Sequence, residues 1–348
     1  MRAIGRRELV ANAGGLFICT LAGKHVLPDK HADVKALAGD LEVPPKVAAA
    51  RREEAAGGPA AQTVLARATT TKEYWIKAEK VRWNIVPNGR DQMMNKKVKG
   101  KTTFDAYAYR AYSADFAAPL GPAQIPGPLI DVDIGDTVTV HFQNKLPIPV
   151  TVHPHGMQYS DDMDGAYKGR YTDPGGFVQT NETFDYVWEA IPESEGAWIY
   201  HDHGPMDPLP VYKGLFGPLI VRDPAKPRPD KDFFVAFHSF QPIATGLSRP
   251  FWCINGRAYA GNHNTLRAKV GDDVAFYVYA LDDDFHTFHL HGHRFKDPSG
   301  NRNIDNFTLG PGDAQTARFI EDNPGRWFYH CHVFSHLHQG MDAWYIVS

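Results

Sequence analysis

Two stretches of the chain, LIDVDIGDTVTVHFQN from Leu129 to Asn144 and TLRAKVGDDVAFYVYA from Thr265 to Ala280, share one pattern. In both, apolar and polar residues alternate on either side of a Gly-Asp pair, Gly135-Asp136 and Gly271-Asp272. Alternation with a period of two is the signature of a strand with one buried face, and Gly-Asp is turn chemistry. Each stretch therefore reads as two strands joined at a turn. The two glycines lie 136 positions apart, and each copy is followed by a histidine cluster, so the chain carries an internal duplication. Between the copies, VRDPAKPRPDK (Val221 to Lys231) combines three prolines with alternating charge and reads as a linker. The expectation is an all-β chain of two β-sandwich domains, residues 75–222 and 229–348.

Length and composition agree. A chain of 348 residues is long enough for two domains that each bury a core. Aromatic residues at 12%, with 31 Gly and 26 Pro, suit a turn-rich β protein. A net charge of −3 leaves no electrostatic footprint for nucleic acid. Residues 1–38 differ from the rest. Arg6-Arg7 precedes an uncharged stretch from Leu9 to Gly23, and Ala36-Leu37-Ala38 is a small-residue cleavage site, the layout of a twin-arginine signal peptide. Residues 39–74 are Ala/Pro-rich and expected to be disordered. Beyond the leader no run approaches eighteen apolar residues, so the mature chain is expected to be exported, to periplasm or exterior, without membrane insertion.

Three cysteines, Cys19, Cys253 and Cys331, do not make a disulfide framework. Cys331 instead lies in HCHVFSHLHQ, flanked by His330 and His332, and is followed in C-x4-H-x4-M order by His336 and Met341. Two imidazoles, a thiolate and a long axial methionine form a blue-copper electron-transfer site. Ten of the seventeen histidines fall in four groups: His153 and His155; His201 and His203; His286, His289 and His291; His330, His332 and His336. Along a strand, residues two apart share a face at about 6.6 Å and odd offsets oppose. Parity thus assigns His286, Cys331, His336 and Met341 to a mononuclear site. His289, His291, His330 and His332 lie back to back with it. The H-x-H pairs His153, His155, His201 and His203 bring the second set to eight imidazoles, which suits three coppers. Cys331 then sits between a one-electron centre and a place where several electrons accumulate. His141, His238, His263, His293 and His338 read as structural, although His293 shares the parity of His291.

The four motifs resemble the copper signatures of multicopper oxidases, and the two-domain length resembles the small bacterial laccases, over residue 75 to the C-terminus. The resemblance implies two cupredoxin-like Greek-key β-sandwich domains with a type 1 copper in the second, and four coppers per chain. By this likeness His153 and His289 hold the type 2 copper, and His155, His201, His203, His291, His330 and His332 the type 3 pair. It also implies catalytic roles for Tyr159, as an electron source beside the cluster, and for Asp164 and Asp305 as acids near the oxygen and proton paths. Phe285 departs from the pattern, since small laccases often carry tyrosine there. A homotrimer with a cluster at each subunit interface is implied as well.

The activity expected is a laccase-like oxidase taking single electrons from phenols or aromatic amines and reducing O2 to water. Its alternatives are oxidation of Cu(I), Mn(II) or Fe(II), copper nitrite reduction, and copper carriage without turnover. Seven methionines without a Met-rich segment argue against the cuprous version, and histidine on both sides of Cys331 argues against nitrite reduction. Two sites sharing one backbone argue against a labile carrier.

Overall fold

Strands dominate the chain. The computed structural model describes residues 70–348, together with an isolated strand pair, Thr20–Leu21 against Lys24–His25. Arg6 and Arg7 of the expected leader, its cleavage site and the Ala/Pro-rich segment up to residue 69 lie outside the described residues. The first strand, β1 (Thr71–Asn84), begins four residues before the domain boundary expected from composition. It is followed by β2 (Thr103–Tyr112), β3 (Ile130–Asp133), β4 (Thr137–Asn144), β5 (His153–Pro154), β6 (Thr183–Glu189), β7 (Gly196–His201) and β8 (Phe216–Arg222). The second half contributes β9 (Lys231–Phe240), β10 (Phe251–Ile254), β11 (Leu266–Ala268), β12 (Asp273–Ala280), β13 (His286–Leu290), β14 (Asn306–Leu309), β15 (Ala314–Ile320), β16 (Gly325–Cys331) and β17 (Asp342–Val347). Two short α-helices, α1 (Pro242–Thr245) and α2 (Phe334–His338), interrupt them.

Four sheets make two sandwiches. The first pairs a sheet of order β6-β4-β1-β2 with one of order β3-β8-β7-β5. The second pairs β10-β9-β12-β15 with β11-β17-β16-β13-β14. Apart from the added edge strand β14 the orders correspond, down to the parallel pairs β1·β4 and β9·β12, and β3·β8 and β11·β17. The duplication read from sequence is a duplication of topology. Alternation sets the packing: in β4 every second side chain (Val138, Val140, Phe142, Asn144) is buried, meeting Ile130, Val132, Tyr200 and Leu219 of the facing sheet.

The Gly-Asp pairs join strands of different sheets, so each turns the corner of its sandwich. Gly135 and Gly271 sit at φ +96° and +95°, where a side chain is strained. The carboxylates of Asp136 and Asp272 accept from the backbone N–H three residues earlier, at Asp133 and Lys269, both at 2.9 Å. The two sandwiches share a core. Trp83, Ile85, Phe104 and Phe216 of the first pack in one buried cluster with Phe240, Phe251, Cys253 and Tyr279 of the second. Arg222, where the linker begins, bonds both Asp131 and Asp232 and ties the domains at that edge.

Candidate metal centres

β13 and β16 are adjacent and antiparallel, with His289 opposite His330 and Phe288 opposite Cys331. Parity then works as the sequence required. His286 and Cys331 face the apolar core of the second sandwich, while His289 and His330 face away from it. α2 follows β16 and brings His336 back over the thiol, so Cys331 Sγ lies 3.7 Å from Nδ1 of both His286 and His336. The donor atoms of the three residues lie within 4.8 Å of one another. Met341 is fully buried beside them, its N–H bonded to the His336 carbonyl and its own carbonyl to the Cys331 N–H.

Electrostatics prepare this site for a cation. Burial opposes the Cys331 thiolate, but the contacts with His286 and His336 outweigh it and hold the thiol down to about 6. Burial likewise opposes a proton on His286, yet its bonds to Asp282 and Cys331 lift it to about 9. Both shifts favour the anionic sulfur, the ligand form of cysteine. Three contacts here were not read from the sequence. Asp282 bonds His286 Nε2 at 3.1 Å, Asp284 lies 3.4 Å from His336 Nε2, and Trp252 stacks on His336 with centroids 3.6 Å apart. The run of three aspartates just before His286 was the available signal for the first two; Trp252, on β10, had none.

Four imidazoles gather on the outward side of the second sandwich. His289 packs against His291, His330 and His332 with centroids 4.9–5.3 Å apart. The first sandwich repeats this with β5 and β7, where His153 opposes His201. Its ring lies 5.3–5.5 Å from His155, His201 and His203. The ring tautomers follow from the partners. His153, His201, His289 and His330 each place Nδ1 2.6–2.9 Å from a backbone carbonyl, of Asp164, Asp202, Asp305 and Cys331 respectively. A carbonyl only accepts, so Nδ1 carries the hydrogen and Nε2 presents a lone pair. In each quartet two Nε2 atoms face each other, His155 and His201 at 3.0 Å, His291 and His330 at 3.1 Å. Protons do not fill these gaps: burial drives His155 to about 4, His201 to about 3 and His330 to about 4, so the rings are neutral. Neutral imidazoles converging on lone pairs fit a metal.

Within the chain the eight histidines form two separate groups of four. Among the described residues no ring contact joins one quartet to the other. The other described histidines lie outside these groups. His293 bonds the His291 carbonyl and Glu321 through its two nitrogens. His141 bonds Asp185 and stacks on Trp75, His238 Nε2 accepts from Gly256 N–H, His263 lies against the Arg257 carbonyl, and His338 is exposed on α2. Tyr159 packs 6.2 Å from His153, and burial followed by Asp164 pushes its phenol up to about 12. Asp164 also reaches His153 Nδ1 with its carboxylate at 3.1 Å, whereas the Asp305 side chain is exposed beside His289. Cys253 is a buried free thiol in the core shared by the domains. Among the described residues no helix is long and apolar enough to cross a membrane.

Comparison with known proteins gives this arrangement its family. Two family profiles, both described as multicopper oxidase, match residues 121–226 and 237–348. The chain is 33% identical to ceruloplasmin of Homo sapiens and 32% identical to a probable nitrite reductase-hydroxylamine oxidoreductase fusion protein of Kuenenia stuttgartiensis, each over 64% of this chain. It spans less than a third of these relatives, 24% of the first and 28% of the second. Among solved structures, a multicopper oxidase superposes with a TM-score of 0.65 at 23% identity, covering 82% of this chain and 92% of that one. The blue copper oxidase of Nitrosomonas europaea gives 0.62 at 24% identity, over 80% and 86%. The fold is therefore a pair of cupredoxin-like sandwiches, and the chain, with its His and Cys groups able to hold a metal, belongs to the multicopper oxidase family.

Proposed function

We propose that the protein is a laccase-like oxidase that takes single electrons from phenols or aromatic amines at the Cys331 centre and reduces O2 to water at a trinuclear cluster shared between subunits. The observation that carries this reading is the pair of four-imidazole half-sites, alike in geometry and set on different domains. His286, Cys331, His336 and Met341 hold one copper, and the two quartets, supplied by neighbouring chains, hold three. Bound copper supplies the one-electron acceptor at Cys331 and, at the cluster, the four-electron reduction of O2. Cys331 is covalently continuous with His330 and His332, so the two centres are joined by backbone alone. The side chains of His286 and Asp282 are closed to solvent, at 0% and 1%, so a reductant meets this centre through half-exposed Asp284. That carboxylate would accept the O–H or N–H proton of a phenol or amine as its one electron leaves. Proton passage is assigned to Asp164 and Asp305, and an electron reserve to Tyr159.

Head-to-tail contact between identical chains that closes on itself gives a ring, here a trimer. Support comes from the open side of the second quartet. His291 and His332 are exposed, and Phe334, 66% exposed, packs 5.6 Å from the His332 ring. Copper-loaded protein is expected to contain four coppers per chain, to be blue, and to consume O2 with a phenol. Cys331→Ser should lose the blue colour and the phenol activity. One copper per chain, or loading by zinc alone, contradicts the assignment.

A second reading rests on Asp283 and Asp284, two carboxylates open to solvent just before His286. Carboxylates are hard donors suited to Mn(II) or Fe(II), so a metal ion is the competing reductant. Asp284→Asn separates the two. If a metal ion is the substrate, its oxidation falls at least about tenfold, because second-sphere carboxylate losses are of that order, whereas if phenols are, the loss falls on phenol turnover. Wild-type rates with Mn(II) and Fe(II) are then negligible.

A further inference from the structure

The duplication extends to a residue that has no counterpart in the copper chemistry. Superposing the repeats through their strands sets His153 on His289, His201 on His330, and Asp202 on Cys331. The bonding around these pairs is the same in both domains. Cys331 N–H donates to the Met341 carbonyl and Asp202 N–H to the Leu215 carbonyl, both at 3.1 Å. His332 N–H reaches Thr287 Oγ1 at 3.2 Å and His203 N–H reaches Thr151 Oγ1 at 3.1 Å. Thr287 N–H points at Cys331 Sγ, 3.5 Å away, and Thr151 N–H donates to Asp202 Oδ1 at 2.7 Å.

The first domain therefore contains the frame of a thiolate copper pocket with other residues in the ligand places. Val150 precedes Thr151 where His286 precedes Thr287, and Leu215 stands where Met341 does; both are fully buried in the apolar core. Pro210, whose carbonyl accepts the Leu215 N–H as that of His336 accepts the Met341 N–H, both at 3.0 Å, stands at the His336 place, so of the four only the Cys331 position keeps a polar side chain. Asp202 is itself fully buried, and its second oxygen, Oδ2, has no hydrogen-bond partner. A carboxyl in an apolar pocket is unfavourable unless it does something an apolar side chain cannot. What it does is accept the buried Thr151 N–H.

That bond matters more here than in the second domain. β5 is two residues long and meets β7 only at Tyr200 with Pro154 and His201 with His153, whereas β13 is five residues long and paired on both sides. Beyond those two pairs, the His155 N–H bond to the Ile199 carbonyl at 2.8 Å and the Thr151 N–H bond to Asp202 tie the His153–His155 segment to the strand bearing His201. We propose that Asp202 is a positioning residue for the shared cluster, its carboxyl replacing the cysteine sulfur as the acceptor that locks the two histidine-bearing segments of the first domain together. This rests on the proposed cluster, to which the first quartet contributes four ligands.

The test uses the full copper-loaded protein and two variants. Asp202→Leu removes the acceptor; Asp202→Asn keeps an oxygen in its place. Copper per chain, the type 2 electron paramagnetic resonance signal and the near-ultraviolet type 3 absorption report the cluster, and the blue absorption of Cys331 reports the second domain separately. Asp202→Leu should weaken cluster copper binding roughly 10- to 100-fold, the range for residues that hold ligands in place, with blue absorption unchanged. Asp202→Asn should bind all four coppers with wild-type signals. Wild-type cluster signals in Asp202→Leu would overturn the proposal, and so would their loss in Asp202→Asn, which decides the matter alone if the leucine variant does not fold. A wild type that is blue but has no cluster signals would instead overturn the cluster reading.

Discussion

At the scale of the residue, what a histidine can do is decided by which ring nitrogen its neighbours occupy. His153, His201, His289 and His330 spend Nδ1 on a carbonyl and keep Nε2 for a metal. His293, which has the right parity to compete, spends both nitrogens. Spacing in the sequence gave the face of each side chain and could not give this, because the carbonyls and Glu321 arrive from other segments. The same holds for Asp282, Asp284 and Trp252, whose contacts with His286 and His336 are made across loops and sheets. His238 offers a pH test outside the ligand set. Burial is the main cause that lowers it to about 3, against about 6.5 in an unfolded chain. Below pH 6.5 the unfolded state takes up a proton that the folded state refuses, so this stability is present above pH 6.5 and lost as pH falls toward 3. Between pH 7 and 5 the loss is about 2 kcal/mol. Urea denaturation of metal-free His238→Gln should show a fall between pH 7 and 5 smaller by that amount than wild type; an unchanged fall means His238 titrates normally.

At the scale of the element, the legible part was the period. Alternation located the strands around both Gly-Asp pairs and parity split the donors of β13 and β16 correctly, since one face of each is committed to a core. Less legible was that the Gly-Asp turns lead from one sheet to the other, a fact set by packing rather than by the turn. Another device was present in the letters and unread: both H-x-H motifs of the strand pairs end in glycine. Gly156 and Gly292 have φ of +72° and +74°, and an added Cβ would lie 2.1 Å from the Trp198 ring and 2.7 Å from that of Trp327. Each indole also donates from Nε1 to a carbonyl, of Ser194 or Asn323, at 2.7 Å and so cannot easily retreat. Gly156→Ala should cost about 2–4 kcal/mol through left-handed strain and overpacking. By displacing His155 it should also lower cluster copper while leaving the blue centre intact. Thermal melts and copper analysis check both, and full cluster occupancy at wild-type stability would contradict the account.

At the scale of the molecule, two copies of one sandwich are joined through a shared apolar core, each bearing a quartet of imidazoles, with only the second keeping a thiolate. Two such domains, their histidine groups and the division of donors between centres were readable from one sequence because duplication repeats the signal. How the quartets combine is not legible within one chain, where no ring contact among the described residues joins one to the other; their joining between chains is the proposal. The central claim is that a cluster takes His153, His155, His201 and His203 from one chain and His289, His291, His330 and His332 from the next. The direct measurement mixes His201→Ala chains with His291→Ala chains, refolds them together and follows O2 consumption with a phenol. Each variant alone is inactive, yet in a mixed ring some interfaces join the intact quartet of one variant to the intact quartet of the other. Random trimers from equal amounts should recover roughly a quarter of wild-type activity. No recovery in verified mixed trimers would mean that each chain builds its cluster alone, and would contradict the account.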